Sequence, residues 1–226
     1  MAFDFSPLLT KGLQKMGVAA NEQQTQYLLT FLDMLDKSRK KINLVSVDAP
    51  ERLVSHHLLD SFSVLPYVVG DRVLDFGTGA GFPGLPLACV NANRHYTLLD
   101  SRSRRIEFLQ YVCQISGISN VQLLAMRVQG LLGEEKNDAV SGDSTTQGQT
   151  NFDTLVSRAV ASMQDLLDMT AHLHQPGCRF IAMKGQNPEA ELENISVSLP
   201  YNLQVKRIKL PDSDAQRHLV IIDFNK

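Results

Sequence analysis

Between Val73 and Pro86 the chain reads Val-Leu-Asp-Phe-Gly-Thr-Gly-Ala-Gly-Phe-Pro-Gly-Leu-Pro, and here residue type and spacing first imply chemistry. Gly77, Gly79 and Gly81 alternate with other residues. A residue without a Cβ lets the backbone turn through positive φ and lie against a flat ligand. The five residues before them, Arg72 to Phe76, are apolar apart from Asp75 near the end, as a buried strand requires. A strand that runs into a glycine loop and then a helix is the nucleotide-binding corner of a doubly wound sheet.

Two ligands compete for that corner. Gly79-Ala80-Gly81-Phe82-Pro83-Gly84 satisfies the glycine pattern of dinucleotide folds. Pro83 and Pro86 carry no N–H, however, and a pyrophosphate cradle at a helix N-terminus is built from N–H donors. S-adenosylmethionine has no phosphate and bears a positive sulfonium, so it needs no such cradle, and Asp75 beside the loop suits a cation. Asp100 closes the next strand (Tyr96 to Leu99) roughly 20 residues on, where an acid can hold ribose hydroxyls of either ligand. The balance favours adenosylmethionine held by Asp75, Gly77, Gly79 and Asp100. A nicotinamide-dependent oxidoreductase is the rival enzyme, and an RNA-binding module with a vestigial pocket is the non-enzymatic alternative.

Basic residues form the second candidate set. Arg127, Arg158 and Lys184 stand near the predicted carboxyl ends of the third, fourth and fifth strands, the edge where such sheets bind ligands. Each could contact RNA phosphate or a guanine edge, or pair with a nearby acid. Arg102, Arg104 and Arg105 crowd a helix start, where the macrodipole disfavours cations. Phosphate contact would offset that cost; a solvated face beside Glu107 is the alternative. Lys37, Arg39, Lys40 and Lys41 close an upstream helix, where cations suit the dipole, although a phosphate-contacting patch is also open. His57 reads as a structural hydrogen bonder, and Asp60 as a local cap or pair. His172 and His174 have no acid or cysteine at ligand spacing, so no metal is assigned.

The elements that must position these residues alternate as βαβ units should. Upstream, about seventy residues read helical: Asn21 and Gln24 have capping-box spacing, and Tyr27, Leu28, Phe31, Leu32 and Leu35 form one apolar stripe. Pro50 suits the first turn of another helix, carrying Leu53, Val54, His57, Leu58 and Phe62 on one side. Strands are expected at 72–76, 95–100, 121–125, 152–157 and 179–183. Tyr201 to Leu210 and His218 to Phe224 form a closing antiparallel hairpin. The fold class is α/β: a mostly parallel seven-stranded sheet with an antiparallel C-terminal hairpin, in a domain at 71–226 preceded by a helical extension at 1–70. The polar stretch 133–151 reads as an inserted surface loop.

With 226 residues and 43% hydrophobic content the chain can bury a single good-sized core. A formal net charge of −2 gives no global attraction to nucleic acid, so any such partner must meet a local patch. No run has the length of a membrane span, and the three cysteines lack metal-ligand spacing. Buried, reduced thiols in a cytoplasmic protein are expected.

Taken together, the run Asp75 to Pro86 resembles the bacterial RsmG (GidB) small-subunit rRNA methyltransferases, as do Leu98-Leu99-Asp100-Ser101, Arg127-Val128, Ser157-Arg158-Ala159 and Lys184-Gly185. The resemblance extends upstream to Asn43-Leu44 and His57-Leu58-Leu59-Asp60-Ser61, and downstream to Arg217-His218-Leu219-Val220. It implies a class I, Rossmann-like fold and methyl transfer from S-adenosyl-L-methionine to N7 of guanine 527 in 16S rRNA. It also implies a cofactor pocket made by Gly77, Phe82, Val128, Gln129 and Arg158. The partner would be the small ribosomal subunit, met by a monomer with no membrane or metal requirement. Arg158 would shape the cofactor and guanine pocket, with Arg102, Arg104, Arg105, Arg127 and Lys184 toward RNA. Gln129 departs from the family, which commonly carries Glu there; an amide keeps hydrogen-bonding capacity but loses the charge.

Overall fold

The architecture is that of a computed structural model, which describes residues 3–42, 44–45, 49–132, 151–158, 161–193 and 195–225. The expected loop at 133–151 therefore lies almost wholly outside the described residues, as do Asn43, Ala159 and the side chains of Lys40 and Lys41.

The central strands are buried along nearly their whole length, polar residues included. Strand β1 (Arg72–Phe76) is buried on both faces after its first residue, as are β2 (His95–Asp100) and all but the last residue of β4 (Thr154–Arg158). Strand β3 (Val121–Ala125) is more open. The sheet adds β5 (Arg179–Lys184), β6 (Tyr201–Ile208) and β7 (Arg217–Phe224) in the order β3-β2-β1-β4-β5-β7-β6. The first five strands pair in parallel, and β7 is antiparallel to both β5 and β6. The chain leaves β1 toward β2 on one side and returns beside β1 as β4 on the other. That reversal opens a crevice at the carboxyl ends of β1 and β4, where open sheets take ligands.

Side chains alternate across the strands, so each strand feeds two cores. Val73, Leu98, Val156, Ile181 and Ile221 face one cluster; Leu74, Leu99, Leu155, Phe180 and Ile222 face the other. The second is covered by α6 (Met163–Thr170), whose start is capped by Ser162 accepting from the Asp165 amide. The first is covered by α4 (Gly84–Val90) and α5 (Ser103–Ser116), together with the helices of the N-terminal extension. That extension has no core of its own: α1 (Ser6–Met16), α2 (Glu22–Ile42), a π-helical turn at Leu53–Leu58 and α3 (Leu59–Phe62) bury their apolar side chains in the sheet's cluster.

The expected stripe on α2 is real, with Leu28, Phe31, Leu32 and Leu35 wholly buried. The capping box forms reciprocally: the Asn21 amide donates to Gln24 Oε1 at 2.9 Å and the Gln24 amide to Asn21 Oδ1 at 2.8 Å. Gln24 Nε2 also donates to the Val90 carbonyl at the end of α4, tying the extension to the helix behind the glycine loop. At the other end of α2, Lys37 pairs with Asp33 and the buried Arg39 with Asp36. All three cysteines are buried and free. Among the described residues no helix is long and apolar enough to cross a membrane.

Candidate functional site

The glycine loop begins where β1 ends and is held from inside the protein. Asp75 is fully buried; its Oδ2 accepts from Thr78 Oγ1 at 2.6 Å and from the Gly84 amide at 2.7 Å. Its Oδ1 is buried with no hydrogen-bond partner among the described residues. Burial pushes the carboxyl up to about 6, against the pull of those two bonds. The acid that the sequence sets beside a cation thus ties the two ends of the loop together. The amides of Gly77 and Thr78 donate to the Leu99 carbonyl, those of Gly81 and Phe82 to Thr78, and that of Leu85 to Gly81. The Gly79 amide donates to Asp100 Oδ2 at 3.0 Å. With these donors spent internally and Pro83 having none, the loop offers a poor pyrophosphate cradle and suits a phosphate-free ligand. Gly81 sits at φ +104, in space already filled by Leu109 and Leu85, so only glycine serves there.

Arg158, the last residue of β4, lies beside this loop. Its guanidinium carbon is 5.0 Å from the centroid of the Phe82 ring, and its Nη1 is 3.9 Å from Asp60 Oδ2. Burial pulls its pKa down, while Asp60 and Asp75 act in the opposite direction. His57 stacks on the same Phe82 ring at 5.2 Å. Its Nδ1 is buried and unpartnered among the described residues, so the expected structural hydrogen bond at that nitrogen is replaced by ring packing. Burial, with Arg158 beside it, pulls His57 down to about 3, keeping it neutral at physiological pH. Asp60 is corrected too: the partners of its carboxylate are distant in sequence. Arg217 Nε, at the start of β7, donates to Asp60 Oδ1 at 3.2 Å. Burial raises the Asp60 carboxyl despite both arginines.

Asp100 closes β2 on the same edge and is almost entirely buried. Besides the Gly79 amide it accepts the Arg102 amide on Oδ1 and Arg105 Nη1 on Oδ2, both at 2.9 Å. Arg105, expected toward RNA, is thereby engaged by the loop's own acid. Lys184 is similarly committed: its side chain is 9% exposed, donating to Glu191 Oε2 at 2.7 Å and to the Ala161 carbonyl at 2.9 Å. Arg102, Arg104 and Arg127 are exposed. Val128 is buried at the head of a short 3-10 helix (Val128–Leu132), where its carbonyl accepts from His172 Nε2 at 3.2 Å, and Gln129 beside it is exposed. Among the described residues no group of three or more His, Cys, Asp or Glu could hold a metal ion.

The edge thus gathers Gly77, Asp100 and Arg158 at the carboxyl ends of β1, β2 and β4, with Val128 following β3. Sequence reasoning missed Phe82 as a ring shared by His57 and Arg158, and the link from Asp60 to Arg217 and Arg158. Asp60 and Arg217 both sit in runs shared with the resembling family, which was the one available signal.

Comparison with known proteins gives the chain its relatives. The family profile for rRNA small subunit methyltransferase G (GidB) matches residues 24–220. Ribosomal RNA small subunit methyltransferase G of Salmonella arizonae is 37% identical over 221 residues, covering 96% of this chain and 98% of its own. That of Serratia proteamaculans is 38% identical over 214 residues, covering 94% and 96%. Among solved structures, an O-methyltransferase from Streptomyces achromogenes in complex with SAM superposes with a TM-score of 0.55 at 12% identity, over 99% of this chain and 100% of its own. Magnesium protoporphyrin IX methyltransferase from Synechocystis, with bound SAM, gives 0.56 at 16% identity over 91% and 99%. At those identities the structural likeness speaks for the fold alone.

Proposed function

Because the chain belongs to the family of rRNA small subunit methyltransferase G (GidB), we propose that it transfers a methyl group from S-adenosylmethionine to N7 of guanine 527 in 16S rRNA. The observation that supports this reading is the extent of the family match, residues 24–220, which contains every residue of the crevice from Asp60 to Arg217.

The chemistry asks little of the protein beyond placement. Guanine N7 has an in-plane lone pair and no proton, so no side chain need act as a general base. When bound, S-adenosylmethionine supplies a methyl carbon that N7 can take as the carbon–sulfur electron pair departs to sulfur. The chain's contribution is to hold the reactants in line, which can be worth ~7–11 kcal/mol. Gly77, Gly79, Phe82, Val128 and Gln129 would line the cofactor site, with Asp75 bracing the loop from behind and Asp100 at the ribose position. Arg158 would orient cofactor and guanine from its place over Phe82. His57, uncharged, adds no cation to a site where positive charge passes to the base. The exposed Arg102, Arg104 and Arg127 would take RNA phosphates.

Mass mapping of modified guanines in small-subunit rRNA, from cells with and without the chain, tests the reading. One 7-methylguanine at the 527 position should disappear with the chain. An unchanged map would overturn the proposal. Turnover of Arg158→Ala should fall steeply in a purified assay, and undiminished turnover with an intact fold would remove Arg158 from the mechanism.

A further inference from the structure

We propose that Asp60 is a positioning residue for this site: a single buried carboxylate, divided between Arg158 and Arg217, that sets where the Arg158 guanidinium points. The inference rests on the role just proposed for Arg158. Asp60 comes from the N-terminal extension, Arg158 from the end of β4 and Arg217 from the start of β7, so three remote segments meet at one acid. Asp60 is 4% exposed, and each arginine side chain 24%. Arg217 makes the hydrogen bond, at 3.2 Å, and so holds the carboxylate's orientation. Arg158 stands at 3.9 Å from the other oxygen, within electrostatic reach but beyond hydrogen-bonding distance.

That asymmetry carries the argument. Among the described residues the Arg158 guanidinium makes no hydrogen bond; it is steered by the Asp60 charge and by the Phe82 ring. Toward a ligand it can offer N–H donors that no described residue takes, while its direction is still constrained. A site residue held this way depends on its supporting groups for sub-ångström placement. Two guanidiniums on one carboxylate also make the cluster sensitive to that acid: without Asp60, two half-buried cations lose the charge between them.

The test uses the full chain as Asp60→Asn, Arg217→Met and the pair together, and repeats Asp60→Asn in an Arg158→Lys background. Thermal melting, calorimetric affinity for S-adenosylmethionine, and kcat and KM on small ribosomal subunits are read for each. Asp60→Asn should lower both melting temperature and kcat, the latter about tenfold, at the low end of what supporting partners contribute. Adding Arg217→Met removes one uncompensated cation and should restore melting but leave kcat low. Once Arg158 is lysine, Asp60→Asn should change neither kcat nor cofactor affinity by more than about twofold. Recovery of kcat together with melting, or an equal loss in both Arg158 backgrounds, would overturn the proposal. Calorimetry decides it even if subunits prove not to be the substrate: a weaker cofactor affinity in Asp60→Asn that vanishes with Arg158→Lys supports it, and one that persists sinks it.

Discussion

Asp75→Asn separates a buried charge from the bonds it makes. The carboxyl is fully buried and rises to about 6 from an ordinary value of 3.8, with burial outweighing the Thr78 and Gly84 bonds. Between those two values the native state binds a proton that the unfolded chain has already released. Stability from this group is therefore complete below about pH 4 and lost as pH climbs through about 6. The rise from 3.8 to about 6, at about 1.36 kcal/mol per tenfold change in proton affinity, amounts to about 3 kcal/mol. Asparagine keeps one oxygen for Thr78 and Gly84 and does not titrate. It puts an amide nitrogen where Oδ1 now lies unpartnered, at a cost of ~1–3 kcal/mol. At pH 7 the variant should equal the natural protein or exceed it by up to about 2 kcal/mol; at pH 4 it should be the less stable of the two. Urea unfolding followed by circular dichroism at pH 4, 5, 6 and 7 reads this directly. The stability difference, natural protein minus variant, should fall by about 2 kcal/mol across the series. A difference independent of pH would refute the reasoning, because it would mean that Asp75 does not titrate between its folded and unfolded values.

Two glycines of the same loop predict opposite causes of damage. A Cβ on Gly84 would lie 2.7 Å from Asp75 Oδ2 and 2.9 Å from Leu98 Cδ1, so Gly84→Ala should cost ~1–3 kcal/mol by overpacking and loosen the loop clamp, measurable by melting and cofactor calorimetry. Gly77→Ala meets nothing within 4 Å but must hold φ +70, so its cost is conformational, ~1–2 kcal/mol. Arg104→Glu, at the exposed start of α5, should weaken RNA binding most at low salt and flatten the salt slope by about one. Unchanged binding would assign Arg104 to a solvated face.

Much of the scaffold was legible because its determinants are local. The strand readings at 72–76 and 152–157, the Asn21–Gln24 box and the stripe from Leu28 to Leu35 each express a preference that neighbouring residues decide, and tertiary contacts reinforced them. The π-helical turn at Leu53–Leu58 could not be read from spacing, since i+3 and i+4 periodicity fits an ordinary helix as well. The basic residues divided in a way their sequence neighbours do not encode. Arg102 and Arg104 remain exposed, whereas Arg105 turns to Asp100 and Lys184 to Glu191. A cation's partner depends on which acid the fold brings within reach, and the carboxyl ends of parallel strands collect residues from every βα unit.

Order along the chain thus specified a glycine corner after β1 that is poor in N–H donors, since proline's missing N–H and glycine's missing Cβ are properties of single residues. The spending of the loop's amides, the turning inward of Asp75 and the meeting of Asp60 with Arg217, 157 residues away, arise only once the chain is folded. Burial and long-range charge depend on what surrounds a group in space, and no local pattern carries that.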